Sequence, residues 1–427
     1  MTGLSFGRNG ILALVLAFSA GMATADWAQM GGPNRDFRVT DTGIARTWPK
    51  AGPKVLWTVP LGAGYGSPAV RDGEVYVLDR MGDKQDNLRC LELATGKELW
   101  NFTYDAPGSV SHDGSRTAPT VDETHVYSVG LMGHLQCVDR KTHQPVWSKN
   151  LLEDFGVKLP NWGVSQAPLL YKDLVIIAPQ APDAYVVAFN KDSGEIVWKS
   201  AGQGAVGYST PVLLNLCGAD QVVMVGASTK DGSTKGIVAG ISPENGATLW
   251  TYEGWQCFIP IPYATALPED RVFITGGYKA GSAMVQVKKD GDAYTAVELW
   301  KSDVCGSQIQ QPLFHDGHLY VNSNSNERED GLMCLTPGGE VKWKTKDAWF
   351  STSFERGPLM LADGLMINLE GKKGTLHLIE PSTAEYKELA SFKILGGKEI
   401  WAPMALSGGK LLVRSQEEMK CLDLVNP

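Results

Sequence analysis

A tryptophan recurs at nearly regular intervals along this chain, each time at the end of a segment with the same residue pattern. Successive copies are 47, 51, 52, 50 and 43 residues apart, and they are Trp100, Trp147, Trp198, Trp250, Trp300 and Trp343. A period of ~40–50 residues is expected when each repeat forms one blade of a β-propeller. The repeat therefore overrides the division into several domains that the length of 427 residues would by itself favour.

The first full repeat, residues 67–100, indicates what each unit is expected to be. It contains four short runs of alternating β-branched and aromatic residues, separated by the turn Asp72-Gly73, a polar loop and the turn Thr95-Gly96. This pattern predicts a meander of β-hairpins. A single four-stranded sheet has two unpaired edges, so it needs similar neighbours to be stable.

Two weaker repeats follow Trp343, and Leu389 is predicted to take the place of the tryptophan in the first of them. The last repeat lacks a fourth strand, for which the segment around Trp57 offers a match near the other end of the chain. The sequence thus predicts an all-β fold over residues 54–427. The expected architecture is an eight-bladed β-propeller of four-stranded antiparallel blades, whose last blade is closed by the N-terminal strand.

The N-terminal residues 1–25 are typical of a secretory signal peptide. They combine the single basic residue Arg8, a short apolar run and the small-residue motif that ends at Ala25. The apolar run is too short to span a membrane, and no cysteine follows Ala25 for a lipid anchor. We therefore expect cleavage near Ala25 and a periplasmic or secreted protein without a membrane anchor.

Residues 26–53 contain no apolar run of strand length. They are expected to form an N-terminal strap that lies across one face or the rim of the propeller. Trp27 and Trp48 are expected to fix this strap by burying their side chains.

The charge of the chain limits its partners. The formal net charge is −8 and no basic run is present, which argues against nucleic acid as a partner. A closed ring needs no second copy for its stability, so a monomer is expected. The expected partner is a small molecule, a glycan or another protein.

Seven cysteines in an exported chain raise the question of disulfide bonds. Cys90, Cys137, Cys334 and Cys421 occupy the same position of the third strand in four repeats. Such positions lie too far apart for a disulfide unless they are near the axis, because the two Cα atoms must come within ~4.4–6.8 Å. These four are predicted to be small buried residues, and the odd total leaves at least one thiol free.

The repeats resemble those of the pyrroloquinoline-quinone (PQQ)-like β-propeller superfamily. The shared features are a proline before the first strand, a glycine turn before the second, an acidic or amide residue late in the third, and a Thr-Gly or Ser-Gly turn before the tryptophan. The segment VLWTVPLGAGYGSPAV after the strap resembles a bacterial subgroup of exported members. The resemblance covers nearly all of residues 26–424 and implies the propeller fold. It leaves the function open, because the superfamily includes both quinoprotein dehydrogenases and a non-catalytic lipoprotein of outer-membrane barrel assembly.

The resemblance also implies what a dehydrogenase of this superfamily would carry: PQQ over the axis, a calcium ion, a vicinal disulfide, a base aspartate and a stacking tryptophan. The chain has no Cys-Cys pair and no recognisable set of oxygen ligands for calcium. Trp162 and Trp401 are either stacking residues for a planar ligand or packing residues at the blade tops.

The main expectation is therefore a non-catalytic exported protein that acts as a ligand-binding or protein-interaction scaffold, without a cofactor. One alternative is a PQQ-dependent dehydrogenase of alcohols or sugars that uses PQQ with calcium. Another is a partner in outer-membrane barrel assembly.

The residues that enter each first strand are expected to line one mouth of the axial channel, because the first strand of a blade is innermost. Counting two and three residues back from the proline (or Thr265) that opens each first strand gives two arginines, aromatic rings and amides. This mixture suits a sugar, a carboxylated small molecule or an extended peptide. Together with Trp162, the candidate ligand-binding residues of this funnel mouth are Tyr65, Arg116, Thr117, Trp162, Gln166, Tyr208, Tyr263, Gln310, Glu355, Arg356 and Trp401.

Two other polar segments are weaker candidates. Residues 322–331 are rich in oxygen atoms but lack the glycine that an EF-hand loop requires, which favours a solvated hairpin over a calcium site. His315 and His318 flank an Asp-Gly turn without further ligands, which favours exposed turn residues over a zinc site. The sequence assigns no catalytic residue and no metal ligand.

Overall fold

The structure is a computed structural model that describes residues 1–2, 26–40, 43–347 and 354–427. The predicted signal peptide, residues 1–25, lies almost entirely outside the described residues, so its cleavage stays a prediction. Within the described part of the chain, no helix is long and apolar enough to cross a membrane.

Two strands precede the first blade. Strand β1 (Arg38–Val39) lies in the strap, and strand β2 (Lys54–Pro60) follows it. Blades 1 to 4 then comprise β3 (Ala69–Arg71), β4 (Glu74–Met81), β5 (Gln85–Glu92) and β6 (Glu98–Asp105); β7 (Thr120–Val121), β8 (His125–Val129), β9 (His134–Asp139) and β10 (Pro145–Asn150); β11 (Leu169–Tyr171), β12 (Leu174–Ile177), β13 (Val187–Asn190) and β14 (Ile196–Lys199); β15 (Val212–Leu216), β16 (Ala219–Val225), β17 (Val238–Ile241) and β18 (Thr248–Tyr252). A short helix α1 (Leu151–Phe155), capped by Asn150, connects blades 2 and 3.

The remaining blades follow the same order. Blades 5 to 8 comprise β19 (Thr265–Leu267), β20 (Arg271–Gly276), β21 (Gly281–Asp290) and β22 (Ala293–Ser302); β23 (Leu313–His315), β24 (His318–Ser325), β25 (Arg328–Leu335) and β26 (Val341–Lys344); β27 (Leu359–Ala362), β28 (Leu365–Leu369), β29 (Thr375–Glu380) and β30 (Lys387–Lys393); β31 (Ala405–Ser407), β32 (Lys410–Arg414) and β33 (Glu418–Asp423). A single 3₁₀ turn (Thr345–Asp347) follows β26.

These strands form eight antiparallel blades in the described residues, and the prediction of an eight-bladed β-propeller is confirmed. First strands of neighbouring blades contact one another, for example β3 with β7 and β3 with β31, so they surround the axis. The eighth blade takes its outermost strand from the other end of the chain, as predicted. There β2 pairs with β33, with Lys54 opposite Asp423 and Pro60 opposite Glu418.

Among the described residues, the recurring tryptophan joins five of the eight blades to the next one by a hydrogen bond to a backbone carbonyl. Trp198 Nε1 donates a hydrogen bond to the carbonyl of Pro243 at 2.9 Å, in the turn that precedes the outer strand of the following blade. The indole also lies on Gly246 of that turn, where a Cβ atom would come 2.5 Å from the ring. Trp57 and Trp147 make the same contact with Leu93 and Lys191. This explains why a glycine turn and a tryptophan recur together in the sequence.

The same geometry explains the repeated cysteines. Cys90 lies directly opposite Trp100 in the ladder between the third and fourth strands, and Cys137 lies opposite Trp147 in the next blade. A small residue lies there in most of these blades because the indole crosses the strand, as at Gly240 opposite Trp250, although Met284 lies opposite Trp300. All seven cysteines are free, and burial raises the pKa of the Cys90 and Cys137 thiols to about 12.

The register corrects one sequence-based assignment. Leu389 was expected at the tryptophan position of the seventh blade, but Ala390 lies there, opposite Leu378. Leu389 instead corresponds to Leu99, the exposed residue that precedes Trp100. The same bulge occurs in blade 1, so Glu388-Leu389-Ala390 aligns with Glu98-Leu99-Trp100. The error arose because the seventh blade has no tryptophan to mark this position.

The N-terminal segment crosses the face opposite the funnel mouth. Trp27 is fully buried, and its carbonyl accepts a hydrogen bond from Val70 of the first blade. Further along, Arg35 donates to Leu170 of blade 3, and Arg38 donates to Phe314 of blade 6. Strand β1 then pairs in parallel with β27 of blade 7. Trp48 is only partly buried against the core.

The tryptophan contact can be tested with two alanine variants in the same blade. Gly246 and Gly218 both have a positive φ, +74° and +75°, but no atom lies within 4 Å of the Cβ position at Gly218. Each substitution incurs the cost of a left-handed alanine, about 1–2 kcal/mol. Gly246→Ala should lower the free energy of unfolding by about 1–3 kcal/mol more, because the methyl group overlaps Trp198. Urea unfolding of the two variants measures this difference, and equal losses would contradict the role of the contact.

Candidate functional site

The loops that enter the first strands surround a cavity of about 680 Å³ on the propeller axis, which we call the axial pocket. Each of the eight blades supplies at least one side chain to its wall. Met30 and Phe37 of the N-terminal segment also line it, and the Phe37 ring stacks on Tyr263 at 6.4 Å. Because that segment crosses the opposite face, it forms the floor of the pocket.

Most of the residues predicted for the funnel mouth line this pocket. Nine of the eleven do so: Tyr65, Arg116, Trp162, Tyr208, Tyr263, Gln310, Glu355, Arg356 and Trp401. Thr117 and Gln166 do not, since both are buried between blades. Thr117 Oγ1 donates to Val129 O at 2.6 Å, and Gln166 Nε2 donates to Gly207 O at 3.0 Å.

A ladder of alternating charge and aromatic rings runs along one side of the pocket. The Arg116 guanidinium lies 5.1 Å from the centre of the Tyr65 ring. Tyr65 in turn stacks on Trp401, with centroids 5.8 Å apart and planes inclined by 25°. The Arg356 guanidinium lies 4.6 Å from the centre of the Trp401 ring. Cation–π contacts of this kind hold all four side chains in fixed orientations.

Two carboxylates support this ladder. Glu355 Oε2 accepts a hydrogen bond from Trp401 Nε1 at 2.8 Å, and its Oε1 pairs with Arg356 Nε at 2.5 Å. Glu399 Oε2 accepts one from the Tyr65 hydroxyl at 2.6 Å. Burial and this hydrogen bond raise the pKa of Tyr65.

The imidazole of His112 lies beside the second carboxylate, Glu399. His112 Nδ1 lies 3.0 Å from Glu399 Oε1, and the imidazole is about half exposed to the pocket. Burial by itself would raise the pKa of Glu399, but the hydrogen bonds from Tyr65 and His112 outweigh it, so that the pKa is lowered. The carboxylate is therefore charged at neutral pH and orients the imidazole, an arrangement suited to accepting a proton.

The backbone of the pocket wall is strained. His112, Tyr278, Glu355 and Glu399 have φ values of 56°, 57°, 47° and 55°, in the left-handed region that residues other than glycine rarely adopt. All four line the cavity, but Tyr278 lies in the tight β20–β21 hairpin, whereas His112, Glu355 and Glu399 lie in the longer loops between blades. Strain of this kind persists only when the surroundings enforce it, and it concentrates at functional sites.

Buried amides of blade 6 enforce the conformation around Glu355. Asn324 Nδ2 donates to Glu355 O at 2.6 Å, and Asn322 Nδ2 donates to Gly357 O at 2.8 Å. Gln310 Nε2 donates to the carbonyls of both Arg356 and Trp401. Residues 322–331 thus form the predicted hairpin, in which Asn322 and Asn324 are buried against the next blade and Asn326 at the turn is exposed.

Several cations of the pocket lack a direct ion pair. Arg116 donates to the backbone carbonyls of Ser111, His112 and Gly114 and pairs with no described carboxylate. Lys372 and Lys398 line the pocket as well, and neither forms an ion pair within the described residues. The pocket thus presents positive charge and flat aromatic faces to a ligand.

Sequence reasoning missed four important residues of this wall: His112, Lys372, Lys398 and Glu399. His112, Lys398 and Glu399 lie in loops that enter first strands, but outside the two positions counted back, and Lys372 lies in the turn between β28 and β29. Glu399 is only two residues before Trp401, so a wider window would have included it. His112 had no comparable signal, because the loop between β6 and β7 must fold back to bring it beside Trp401.

The side chains that line the pocket determine whether it suits a planar carboxylate or a divalent metal ion. A planar carboxylated ring finds cations and aromatic faces there and fits the side chains present. A divalent metal does not fit them. Among the described residues, no group of three or more His, Cys, Asp and Glu side chains is placed to hold a metal ion. His315 and His318 lie in the β23–β24 hairpin and do not line the axial pocket.

Comparison with known proteins places this geometry in context. A family model described as outer membrane protein assembly factor BamB matches residues 84–256. Together with the eight blades, this match confirms the predicted resemblance. The chain is similar to the PQQ-like β-propeller repeat proteins.

The curated relatives are dehydrogenases. Quinoprotein alcohol dehydrogenase PedH of Pseudomonas putida is 26% identical over 278 residues, which cover 61% of this chain and 44% of PedH. The dehydrogenase subunit of alcohol dehydrogenase (quinone) of Komagataeibacter europaeus is 28% identical over 162 residues, 34% of this chain and 21% of the relative. The chain therefore spans less than half the length of the curated relatives it matches.

Solved structures show the same fold at low identity. A europium-containing methanol dehydrogenase superposes with a TM-score of 0.63 and 12% identity, covering 91% of this chain and 89% of that one. BamB from Moraxella catarrhalis superposes with a TM-score of 0.59 and 13% identity, covering 86% and 96%. These likenesses confirm the fold and do not by themselves separate the two functional classes.

Two expectations from the sequence are wrong. The main expectation was a non-catalytic scaffold, whereas the curated relatives are quinoprotein or quinone-dependent alcohol dehydrogenases, which favour the alternative. The expectation of no cofactor conflicts with the same relatives. The sequence reasoning gave most weight to the missing calcium-ligand set and Cys-Cys pair, although it named Trp162 and Trp401 as possible stacking residues for a planar ligand.

The charge on Glu399 predicts a pH-dependent contribution to stability. A carboxylate whose folded pKa is lowered stabilises the protein above the pKa of about 4.3 that glutamate has when unfolded, and the contribution disappears as the pH falls through the lowered value. Since Glu399 is about one-third exposed, Glu399→Gln should cost only about 0.2–1 kcal/mol at pH 7. Urea unfolding at neutral and strongly acidic pH checks this.

Glu385→Gln is the matched control, because Glu385 is exposed and forms no ion pair among the described residues. Its effect should be small and independent of pH. A loss for Glu399→Gln that persists unchanged in acid would contradict the assignment of a charged carboxylate.

Proposed function

We propose that this protein is a quinone-dependent oxidoreductase that binds a PQQ-type ligand in the axial pocket and oxidises an alcohol there. One observation carries the proposal: the Arg116–Tyr65–Trp401–Arg356 ladder with the adjacent His112–Glu399 pair at the mouth of a cavity of about 680 Å³. The alcohol dehydrogenases among the relatives support the same reaction class.

The pocket offers complementary groups to a planar tricarboxylate. Trp162 and Tyr208, in edge contact at 5.4 Å, and the Tyr65–Trp401 pair provide aromatic faces. Arg116, Lys372 and Lys398 provide positive charge for the carboxylates. Fork-shaped guanidinium groups and flexible ammonium groups both bind carboxylates well in a partly desolvated cavity.

The protein residues have separate roles in the proposed reaction. When bound, the quinone would supply the acceptor for the hydride, one hydrogen with two electrons, that leaves the alcohol carbon. The His112 imidazole accepts the hydroxyl proton, and Glu399 holds that ring through Nδ1 so that Nε2 remains available as the acceptor. The segment with Met30 and Phe37 closes the far end of the pocket and limits water entry to one mouth.

The proposed setting follows from the N-terminal sequence. We propose that residues 1–25 direct export and that the protein acts outside the cytoplasm, where no membrane anchor is needed. The substrate is proposed to be an alcohol, because the relatives are alcohol dehydrogenases. Since the chain spans only part of those relatives, the location and the substrate are both proposals for this chain.

The proposed ligand can be tested by direct titration. Adding PQQ to the purified protein should quench tryptophan fluorescence and raise the thermal unfolding temperature in a saturable manner. Lys372→Gln and Lys398→Gln should each weaken binding by about 2- to 5-fold, since each removes one partly exposed charge contact. Lys97→Gln, at an exposed turn of blade 1, is the control and should leave the affinity unchanged. If PQQ produces neither quenching nor stabilisation, the proposed function fails.

The proposed proton acceptor can be tested by steady-state kinetics with PQQ, an alcohol and an artificial electron acceptor. His112→Asn should lower kcat by about 10²- to 10⁴-fold, the usual contribution of a positioned base, while PQQ affinity changes little. His318→Asn in the distant hairpin serves as the control and should retain full turnover. Unchanged kcat in the His112 variant would exclude this residue as the base.

A further inference from the structure

The oxygen atoms near the ladder that could ligate a metal are already used by the protein. Glu355 accepts hydrogen bonds from Arg356 Nε and Trp401 Nε1. Asn326 Oδ1 accepts one from Arg356 Nη1 at 3.0 Å, and Gln308 Oε1 accepts one from the backbone N–H of Asn326. A calcium ion, which needs six to eight oxygen ligands, would have to break these contacts.

The Arg356 guanidinium lies at the centre of these groups. It contacts a carboxylate, an amide oxygen and the face of an indole, with 4.6 Å between its carbon and the centre of the Trp401 ring. These are the negative and polarisable partners that a cation seeks. The backbone carbonyl of Arg356 is fixed by Gln310, so the residue cannot easily move aside for an ion.

Electrostatics favours the same conclusion. A divalent ion next to Glu355 would lie beside the permanently charged Arg356, and like charges at such distances repel. The second carboxylate, Glu399, is engaged by Tyr65 and His112 on the other side of Trp401. Of the three glutamates that line the pocket, Glu355 and Glu399 are therefore committed to protein cations or donors. The third, Glu329, is exposed and forms no ion pair within the described residues, but one carboxylate is far fewer oxygen atoms than calcium needs.

We infer that the Arg356 guanidinium takes the place of a divalent metal, so that the axial pocket binds its planar polycarboxylate ligand without any metal ion. This inference rests on the proposed function and deepens it, since it specifies how the pocket supplies positive charge beside the ligand. Lys372, Lys398 and Arg116 add the remaining charge around the rim.

The test compares PQQ binding to the purified protein in a chelator, in Ca²⁺ and in a trivalent lanthanide. Tryptophan fluorescence or calorimetry gives the dissociation constant in each condition, independently of turnover. The inference expects the three constants to agree within about twofold, since no metal contributes to the complex. Binding at least about tenfold tighter with either metal would overturn the inference and leave the proposed function intact. An absence of binding in all three conditions would overturn both.

Variants at Arg356 provide a second measurement. Arg356→Gln should weaken binding by about tenfold or more in the chelator, and Arg356→Lys should recover only part of that loss because it keeps the charge but not the planar fork. Arg46→Gln is the matched control, since Arg46 is an exposed arginine paired with Glu380 far from the pocket. Thermal unfolding verifies that each variant is folded. Equal affinity for the wild type and a folded Arg356→Gln variant would also overturn the inference.

Discussion

The contact on which most of the ring depends is the tryptophan that, among the described residues, five of the eight blades bond to the turn of the next blade. A four-stranded blade cannot bury its two faces alone, and the indole provides both apolar area and a directed hydrogen bond to the neighbouring carbonyl. Its position dictates the small residue opposite it and the glycine beneath it, as at Cys137 and Gly246. The interaction is therefore the physical origin of the sequence repeat.

Closure of the ring converts eight similar loops into one site. Because the first strands surround the axis, the residues that enter them converge on a single cavity, although they are up to about 340 positions apart in the chain, as for Tyr65 and Trp401. The N-terminal segment closes the other end with Met30 and Phe37. The result is a pocket with one mouth, a rigid wall and a backbone strained at residues such as Glu355.

The comparisons separate what the fold shares from what the site contains. Dehydrogenases and BamB both superpose on this propeller, so the ring itself is compatible with either class. The sequence relatives favour a quinone-dependent enzyme, and the charged and aromatic wall supports that proposal. Within the described residues, the wall lacks a metal-ligand cluster and places Arg356 among the oxygen atoms instead. Our proposals follow from this combination.

The sequence by itself determined the blades, their number and the closure by β2, because each blade is specified by local turns and by a tryptophan at a regular interval. It also indicated most of the pocket wall, since the position just before each first strand is fixed by the repeat. It failed for Leu389, because the seventh blade has Ala390 and no tryptophan to mark the position, and for Thr117 and Gln166, whose side chains turn between blades.

Only the tertiary structure determined which groups meet in the pocket. His112 and Glu399 are 287 residues apart, and no local pattern relates them, yet ring closure brings their side chains to 3.0 Å. Glu355 likewise accepts hydrogen bonds from Arg356 and Trp401 only because blades 7 and 8 pack together. Local periodicity encodes strands and turns, whereas the chemistry of the site depends on contacts between distant loops that exist only once the ring has closed.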